Sequence, residues 1–506
     1  MVPEAQNLIM AMIALVAGNL ILSPALCRLV YNTVALLLTV LYWRPISCIL
    51  LVGLGTYHSL PISHFLFHFQ SLPQSSITFI CLFTFKFLKV FVHTISYLIY
   101  RPVTPSATPA FAPRDVTVVV PTVGDLDDEF VECIQSLLAT DPFQIIISTV
   151  GEAALQRAER VCQQIDPVRI RCIAVQHPNK RNQVVTAIRL IQTAITVLAD
   201  DHVFWPKTFL KSSLTPFDDP LVGHIGTAKR VRRVKLGFCF ADFLNYIACI
   251  YIERHNFEYT ASNRIDGGVR VISGRTCLLR TSIVQDPAFQ HGFLNETWFF
   301  GLVGPLNVDD DNFITRFSVN RGHKIIFHNA PEACMETTLG TFGGWTKFRG
   351  QLNRWCRTQW RSNTTTLFAD CVVWRSQPWC VYAAYLSSLV NFALFYDLAL
   401  FETLWRSPYG SGCNLGYLGF LLLVSKVIKP FPHLLKHPRD VFYLPFGILF
   451  GYYHSWVNLY ALLTCWNAAW GTRVGVDGPQ HAALEHSLPA TDGPLELHKQ
   501  RQPNLT

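Results

Sequence analysis

Asp200, Asp201 and His202 form the first of two acidic stretches whose residue types can bind a metal ion or remove a proton. They directly follow an apolar run at residues 191–199. Adjacent acids beyond a buried strand are costly unless a cation neutralises them. Mg²⁺ or Mn²⁺, held by one or two carboxylates and substrate phosphates, would do so. A solvated turn with a helix-capping aspartate is the alternative for these residues alone.

The second acidic stretch contains three consecutive aspartates, Asp309, Asp310 and Asp311. Carboxylates this close repel one another, which raises a pKa and favours a general base. The same residues could instead cap a helix that begins near Phe313, where the helix dipole stabilises negative charge. Both roles are compatible, because a capping position is rigid.

A third pattern, at residues 351–355, places an amide, a guanidinium and an indole on one face of a helix. Gln351, Arg354 and Trp355 stand at positions i, i+3 and i+4. Arg354 suits a diphosphate, because its planar fork makes charge-assisted bonds to phosphate oxygens. Trp355 offers an apolar plane for a sugar ring. An amphipathic helix at a membrane surface explains the five residues equally well.

Two further stretches combine positive charge with a turn. Residues 177–183 place Lys180 and Arg181 at the start of a predicted helix, where positive charge suits phosphate. Residues 272–280 join a turn of small residues to two arginines, which suits a loop near an acceptor or a phosphate. A plain surface turn and an ordinary β-turn are the respective alternatives.

The elements that must position these residues alternate between strand and helix. The predicted strands are residues 116–120, 144–150 and 169–175, and the predicted helices are residues 127–139, 152–165 and 182–190. This alternation predicts an α/β domain with a mostly parallel sheet. Ligands of such sheets bind outside the carboxyl ends of the strands. Polar residues that follow strands are therefore the site candidates.

Apolar residues concentrate at both ends of the chain. Of the 506 residues, 50% are hydrophobic and only 15% are charged, with a net charge of +8. This predicts an integral membrane protein with a soluble insert. The basic surplus fits cytoplasmic flanks and anionic lipid more simply than nucleic acid. The 15 cysteines form no Cys-x-x-Cys pair and no zinc spacing, so a disulfide framework is not expected.

The predicted organisation follows from these shifts in composition. The predicted spans are residues 7–27, 29–43, 46–60, 76–100, 379–401, 415–427 and 441–469; the second and third are short, and the fourth carries charges that suit the interface. The predicted regions are a membrane region (1–100), a Pro-rich linker (101–113), a catalytic domain (114–340), interfacial helices (341–375), a second membrane region (376–470) and a polar tail (471–506).

Together these motifs resemble those of membrane-embedded, processive family 2 glycosyltransferases, in particular hyaluronan synthases and fungal type 2 glycosyltransferases. The similarity covers about residues 100–475 and includes a tail, at residues 435–438, 459–463 and 470–473, that looks like the end of a hyaluronan synthase. The resemblance implies a cytosolic GT-A-type (Rossmann-like) domain inserted between membrane helices of the cell membrane. It also implies a UDP-sugar donor, a growing polysaccharide acceptor, and Mn²⁺ or Mg²⁺.

The resemblance also implies roles for individual residues. Asp311, beside Asp310, would be the general base, while Arg354 and the metal stabilise the UDP leaving group, so that one displacement inverts the anomeric carbon. Gln351 and Trp355 would border the acceptor sugar. The implied metal ligands are Asp200, Asp201 and His202; the implied nucleotide-sugar contacts are Pro121, Thr122, Glu152, Lys180, Asp200 and Asp201; and the implied acceptor contacts are Ser273, Gly274, Arg275, Thr276 and Trp355.

Three positions depart from the family pattern. His202 stands where an aspartate is usual, which favours Mn²⁺ over Mg²⁺ because imidazole is a softer ligand. Asn312 stands where hyaluronan synthases carry arginine. Glu152 would have to replace the aspartate that binds uracil in relatives. The sugar, its linkage and the oligomeric state stay open.

Two other functions compete with polysaccharide synthesis. A single-transfer glycosyltransferase acting on a membrane lipid such as ceramide shares the pattern at residues 351–355, although seven or so spans and the Trp-Gly-Thr-Arg ending favour polymer export. A catalytically silent channel or scaffold is the second, but a decayed site has no reason to retain its buried charges, and the chain has Asp200, Asp311, Arg354 and Trp355 together. Among fungal relatives, the resemblance implies a minor outer-wall or extracellular polysaccharide that supports surface growth or host contact.

Overall fold

The computed structural model describes residues 73–469, apart from residues 125, 235, 236, 238, 342 and 391. The predicted spans at residues 7–27, 29–43 and 46–60 lie outside the described residues, as does the polar tail. Within the described part, strands and helices alternate from residue 116 to residue 199 as predicted.

The strands form two sheets. In chain order they are β1 (Val116–Pro121), β2 (Gln144–Val150), β3 (Ile170–Val175), β4 (Ile195–Ala199), β5 (Val203–Phe204), β6 (Val222–Thr227), β7 (Lys229–Val231), β8 (Thr276–Arg280), β9 (Lys324–His328) and β10 (Met335–Thr337). The large sheet has the order β3-β2-β1-β4-β8-β6-β9, and the small one β5-β10-β7. In the large sheet only β8 runs antiparallel to its neighbours. The predicted α/β class with a mostly parallel sheet is confirmed.

The α-helices between residues 128 and 364 include the three predicted at residues 127–139, 152–165 and 182–190, each of which begins within two residues of its predicted start. The helices of this range are α2 (Asp128–Leu138), α3 (Glu152–Ile165), α4 (Lys180–Ile188), α5 (Phe209–Ser213), α6 (Phe240–Asp266), α7 (Thr281–Val284), α8 (Pro287–Asn295), α9 (Asp310–Asn320) and α10 (Gly344–Thr364), preceded by α1 (Gln74–Leu98). The side chains of Asp127 and Asn179 cap α2 and α4 by accepting a backbone N–H. Because Asn179 is the cap, α4 begins two residues before the predicted position.

The core lies on both faces of the large sheet. Val118 and Ile147 point to one face and pack with Phe130 of α2. Val119 and Ile146, one position along, point to the other face. Strands buried on both faces read as continuous apolar runs, as β1 and β2 do here. The result is a rigid sheet whose strand ends can hold polar side chains in place.

The C-terminal part is a cluster of apolar helices. They are α11 (Val373–Ser376), α12 (Pro378–Cys380), α13 (Ser387–Val390), α14 (Ala393–Trp405), α15 (Gly412–Ile428), α16 (Phe431–Lys436) and α17 (Leu444–Leu463), with π-helical turns at Thr365–Asp370 and Val381–Leu386. Helices α14 and α15 of this cluster pack against α1, which precedes the catalytic domain in the sequence.

Among the described residues, α1 is the one continuous helix long and apolar enough to cross a bilayer. It matches the span predicted at residues 76–100. The span predicted at residues 379–401 corresponds to two helical segments, Pro378–Val390 and Ala393–Trp405, that pass the length and composition test together but meet at a bend of 89°, as in a broken span or a re-entrant loop. The helix predicted at residues 415–427 exists as α15 but has only 17 residues. The stretch predicted at residues 441–469 contains α17, which ends at Leu463.

Candidate functional site

The carboxyl ends of β1 and β4 open into a cavity of about 650 Å³. The loop before β8, the start of α9 and one face of α10 complete its walls. Segments far apart in the sequence thus meet where a parallel sheet presents its ligand-binding edge. The predicted site residues that line this cavity are Lys180, Asp200, Asp201, His202, Ser273, Gly274, Arg275, Asp310, Asp311, Gln351, Arg354 and Trp355.

Lys180 joins the two acidic stretches. Its Nζ lies 3.0 Å from Asp200 Oδ1 and 2.9 Å from Asp310 Oδ2. Burial disfavours the ammonium charge, but the two carboxylates outweigh burial and raise the pKa of Lys180 above its ordinary value. Burial likewise opposes ionisation of Asp200, yet the charge of Lys180 holds the pKa of that carboxyl below its usual range. This part of the cavity is therefore a set of charged groups at neutral pH.

Asp201 is held on the other side of the same turn. Its Oδ2 accepts a hydrogen bond of 2.6 Å from Thr122 Oγ1, and its Oδ1 lies 3.0 Å from His202 Nδ1. The backbone N–H of Asp200 donates to the carbonyl of Arg275 at 2.9 Å, which ties the turn to the loop before β8. Thr122, which lies outside the cavity lining, therefore fixes the orientation of the Asp201 carboxylate.

The turn at residues 200–202 offers carboxylate and imidazole donors, which are ligand types that Mn²⁺ accepts. The part of the chain that the structure describes contains no group of three or more His, Cys, Asp or Glu side chains placed to hold a metal. Hard divalent cations in nucleotide sites commonly take one or two protein carboxylates and complete their shell with phosphate oxygens. The donor set fits a metal completed by a diphosphate and does not fit a metal held by protein alone.

The three consecutive aspartates have different partners. Asp309 is buried and binds Arg361 with both carboxylate oxygens, at 2.7 and 3.1 Å. Asp310 pairs with Lys180. Within the described residues, Asp311 forms its hydrogen bonds with uncharged donors and pairs with no cation. The three carboxylates therefore differ in charge environment despite being adjacent.

Asp311 has the environment of a base. Its Oδ2 accepts from the Gly274 N–H at 3.2 Å, and its Oδ1 accepts from the Asn312 side-chain amide at 3.0 Å. Burial, followed by the charge of Asp310, raises the pKa of Asp311 to about 6. A carboxylate with a raised pKa at the edge of a cavity can take up a proton near neutral pH.

The pattern at residues 351–355 lies within α10, as its helical spacing predicts. The Trp355 ring stacks on Tyr251 of α6, with centroids 5.8 Å apart and planes 18° apart. The Arg275 guanidinium lies 5.4 Å from the centroid of the Trp355 indole. Gln351 and Arg354 line the cavity beside this stack. The helix therefore presents amide, guanidinium and indole to one space.

Four predicted contacts do not line the cavity, and one of them is Thr122, which instead donates to Asp201 Oδ2. The Thr276 side chain is buried and accepts a hydrogen bond from Trp205 Nε1 at 3.2 Å, because side chains alternate along β8 and this one faces the core. Glu152 is exposed at the start of α3 and accepts from the Gln156 side chain on its own helix. Pro121 is the buried last residue of β1 and supports Thr122 behind the cavity wall. Assigning Thr276 to the acceptor and Glu152 to the nucleotide is not supported by these positions.

The structure adds cavity residues that the sequence patterns missed. Lys229, at the start of β7, is buried, and burial together with the charge of Arg275 lowers its pKa to about 7, against the opposing charge of Asp311. Tyr251 and Arg270 also line the cavity. Lys229 directly follows the mostly apolar run at residues 221–228, and this position at the end of a strand-like run could have marked it as a site candidate. No feature of the sequence marks Tyr251 as a site residue, because an aromatic residue is ordinary on the apolar face of an amphipathic helix.

A second cavity of about 250 Å³ lies between α1, α6 and the C-terminal helices. It shares Tyr251, His255, Tyr259, Arg270 and Gln359 with the first, so the two cavities adjoin. Cationic side chains from three helices and the segment after α15 line it: Lys86, Lys89, Arg254, Lys426 and Lys429. The charged cavity therefore continues from the strand ends into the apolar helical part.

Comparisons with known proteins agree with this geometry. The family model described as "Glycosyltransferase like family 2" matches residues 113–358. A type 2 glycosyltransferase of Pyricularia oryzae is 36% identical over 405 residues, covering 79% of this chain and 82% of its own, and one from Gibberella zeae is 35% identical over 412 residues, covering 80% and 77%. A hyaluronan synthase of Streptococcus pyogenes is 22% identical over 377 residues, covering 71% and 83%. The α/β sheet, the matched region and the fungal relatives together show that this chain belongs to glycosyltransferase family 2, so the protein is a glycosyltransferase with a GT-A-like fold.

Proposed function

We propose that the protein is a processive, inverting glycosyltransferase that polymerises sugar from UDP-sugar donors on the cytosolic side of the cell membrane and exports the product. The single observation that carries the proposal is the pair of adjoining cavities. One has the charged groups that donor chemistry needs, and the other continues from it between apolar helices. A chain growing at the first cavity would enter the second without leaving the protein.

The donor diphosphate would lie against Lys180 and Arg354. Both groups are cationic, and Arg354 has the planar fork that suits phosphate oxygens. A divalent metal held by the turn of Asp200, Asp201 and His202 would supply further positive charge to the leaving diphosphate. Since Lys180 already pairs with Asp200 and Asp310, donor binding would replace carboxylate contacts of the ammonium by phosphate contacts.

Asp311 would remove the proton from the acceptor hydroxyl. The oxygen forms the new bond to the anomeric carbon as the bond to the UDP oxygen breaks, and the proton stays on Asp311. Attack from the face opposite UDP inverts the anomeric carbon. The raised pKa of Asp311, about 6, supports this role because it leaves the group ionised yet basic near pH 7.

The acceptor sugar would lie against the part of the Trp355 indole that Tyr251 and the Arg275 guanidinium leave uncovered. Stacking on a fixed indole holds a sugar ring without requiring a particular hydroxyl pattern. Gln351 and the turn at Ser273 and Gly274 line the same space. The second cavity continues from this position, which favours a long acceptor over a single sugar.

Membrane embedding is part of the proposal. Helix α1 has the length and composition of a span, and only 17% of its apolar window is buried in protein. The exposed apolar side chains of α15 and α17 support a lipid contact for these helices as well. The proposed product is a polysaccharide of the outer wall or the extracellular layer that assists surface growth or host contact.

The test is sugar incorporation by the purified protein in lipid. It would receive Mn²⁺ or Mg²⁺ and each UDP-sugar singly and in pairs, with Asp311→Asn as the inactive control. A product of high molecular mass from one donor or one pair, absent in the variant, supports the polymerase. Product protected inside inverted vesicles from an added hydrolase supports export. Label on lipid alone indicates single transfer, and no turnover of any donor refutes the proposal.

A further inference from the structure

Asp309 has an unusual backbone conformation for a residue with a side chain. Its φ is 67°, in the left-handed region, and it lies immediately before α9. Aspartate enters this region more readily than most residues, but the conformation is still uncommon outside glycine. Such conformations persist where surrounding contacts fix them, often beside functional groups.

The contacts that fix Asp309 come from α10. Arg361 Nε and Nη2 donate to the two carboxylate oxygens at 2.7 and 3.1 Å, and the Thr358 hydroxyl donates to Oδ1. The side chains of Asp309 and Arg361 are each only 2% exposed. A bidentate pair from a planar guanidinium fixes direction as well as distance.

Arg361 is itself held by a third segment. Its Nη1 donates to the carbonyls of Cys465 and Asn467, at 2.8 and 3.1 Å, just after α17. Ala468 of that segment packs against Val308, next to Asp309. The guanidinium thus has no freedom to follow Asp309 if the turn moves.

We infer that Asp309 and Arg361 are a positioning pair that sets the distance between the proposed base, Asp311, and the groups of α10 that face the cavity. Asp311 lies two residues after Asp309, and Arg354 and Trp355 lie within two turns of Arg361 on the same helix. The pair is a direct polar link between these two elements beside the cavity. This inference rests on the proposed function for its catalytic readout.

Neutralising both partners separates positioning from folding. A single Asp309→Asn or Arg361→Gln change leaves a buried charge unpaired and is expected to destabilise the protein. The double variant leaves no buried charge unpaired. In the double variant we expect a stable protein that binds UDP with unchanged affinity. Its kcat should fall about 100-fold, as expected for a displacement of about 1 Å between reacting groups. Arg361→Lys, which keeps the charge but loses the fork, should restore folding and only part of kcat.

The matched control is another ion pair of the same domain, Arg230 with Glu253, which lies outside the lining of the first cavity. Arg230→Gln with Glu253→Gln should leave kcat unchanged. Hydrogen exchange gives a readout independent of turnover: amides of residues 309–313 should exchange faster in the Asp309→Asn/Arg361→Gln variant than in the control. Unchanged kcat and exchange in that variant would overturn the inference, as would equal losses of kcat and UDP affinity. A wild-type protein without any turnover would refute the proposed function instead, and the exchange result would still decide the role of the pair.

Discussion

Replacing Asp311 by asparagine removes the proposed base while keeping the size of the side chain. The new side-chain amide would still accept from the Gly274 N–H through its oxygen, so the turn should keep its shape. Loss of a positioned general base lowers a rate by about 100- to 10,000-fold. We expect kcat to fall by that amount, with little change in the affinity for UDP, because Asp311 does not pair with the groups assigned to the diphosphate.

The dependence of activity on pH follows from the ionisation of Asp311. Asp311 must be ionised to accept a proton, and its pKa is raised to about 6 by burial and by Asp310. Activity should therefore rise with pH through about 6, and at pH 5 only about a tenth of the protein would carry the ionised base. Asp310→Asn removes a neighbouring negative charge and frees Lys180, and both changes stabilise the ionised form of Asp311. The acid limb in that variant should move to lower pH.

The assay is initial-rate release of UDP and incorporation of sugar by protein in lipid, from about pH 4.5 to about pH 8.5 at fixed ionic strength. Asp219→Asn is the matched control, since Asp219 is an exposed aspartate paired with Lys324 away from the cavity. An Asp311→Asn variant that retains more than about a tenth of the wild-type rate would refute the assignment, because a base contributes more than that. An acid limb that stays in place in Asp310→Asn would show that another group controls it.

Three further predictions concern the donor, the metal and the acceptor. Arg354→Lys keeps the charge but loses the fork, so kcat/KM for the donor should fall about 10- to 100-fold, measured at saturating acceptor; an unchanged value would remove Arg354 from the diphosphate site. His202→Asp should shift the ratio of activities with Mn²⁺ and Mg²⁺ towards Mg²⁺, because carboxylate is the harder ligand; the exposed His291→Asp is the control, and equal ratios would exclude His202 as a ligand. Trp355→Ala should weaken acceptor binding about tenfold through loss of the stacking plane on Tyr251, as measured by oligosaccharide titration, and UDP affinity should not change.

The catalytic domain was largely predictable from local patterns. The buried strands β1 and β2 are continuous runs rich in β-branched residues, and their bounds agree with the prediction almost residue for residue. The helical face of Gln351 and Trp355 also followed directly from spacing, since α10 is regular there. In both cases the signal lies in neighbouring residues, and tertiary contacts only reinforce it.

Other parts depended on contacts between distant segments. The orientation of Thr276 was not predictable, because its face of β8 is decided by pairing with β4 and β6. Nothing in the sequence around Arg361 distinguishes it from the other basic residues of α10, and its partner lies 52 positions earlier. The bend between Pro378–Val390 and Ala393–Trp405 lies within a mostly apolar run, so hydropathy predicts a span there but not the bend.

The sequence identifies the cluster of three consecutive aspartates but does not assign a separate role to each of them. Three aspartates in a row are equivalent by composition, and any of them could cap, bind or act as a base. The left-handed turn at Asp309 sends consecutive side chains towards different partners: Asp309 to Arg361 and Asp310 to Lys180. Each of these two carboxylates pairs with a cation, and although burial opposes ionisation, the charge of Arg361 holds the pKa of Asp309 below its usual range. Asp311 accepts from a backbone N–H and a side-chain amide and is repelled by Asp310, and this difference in partners makes it the base candidate.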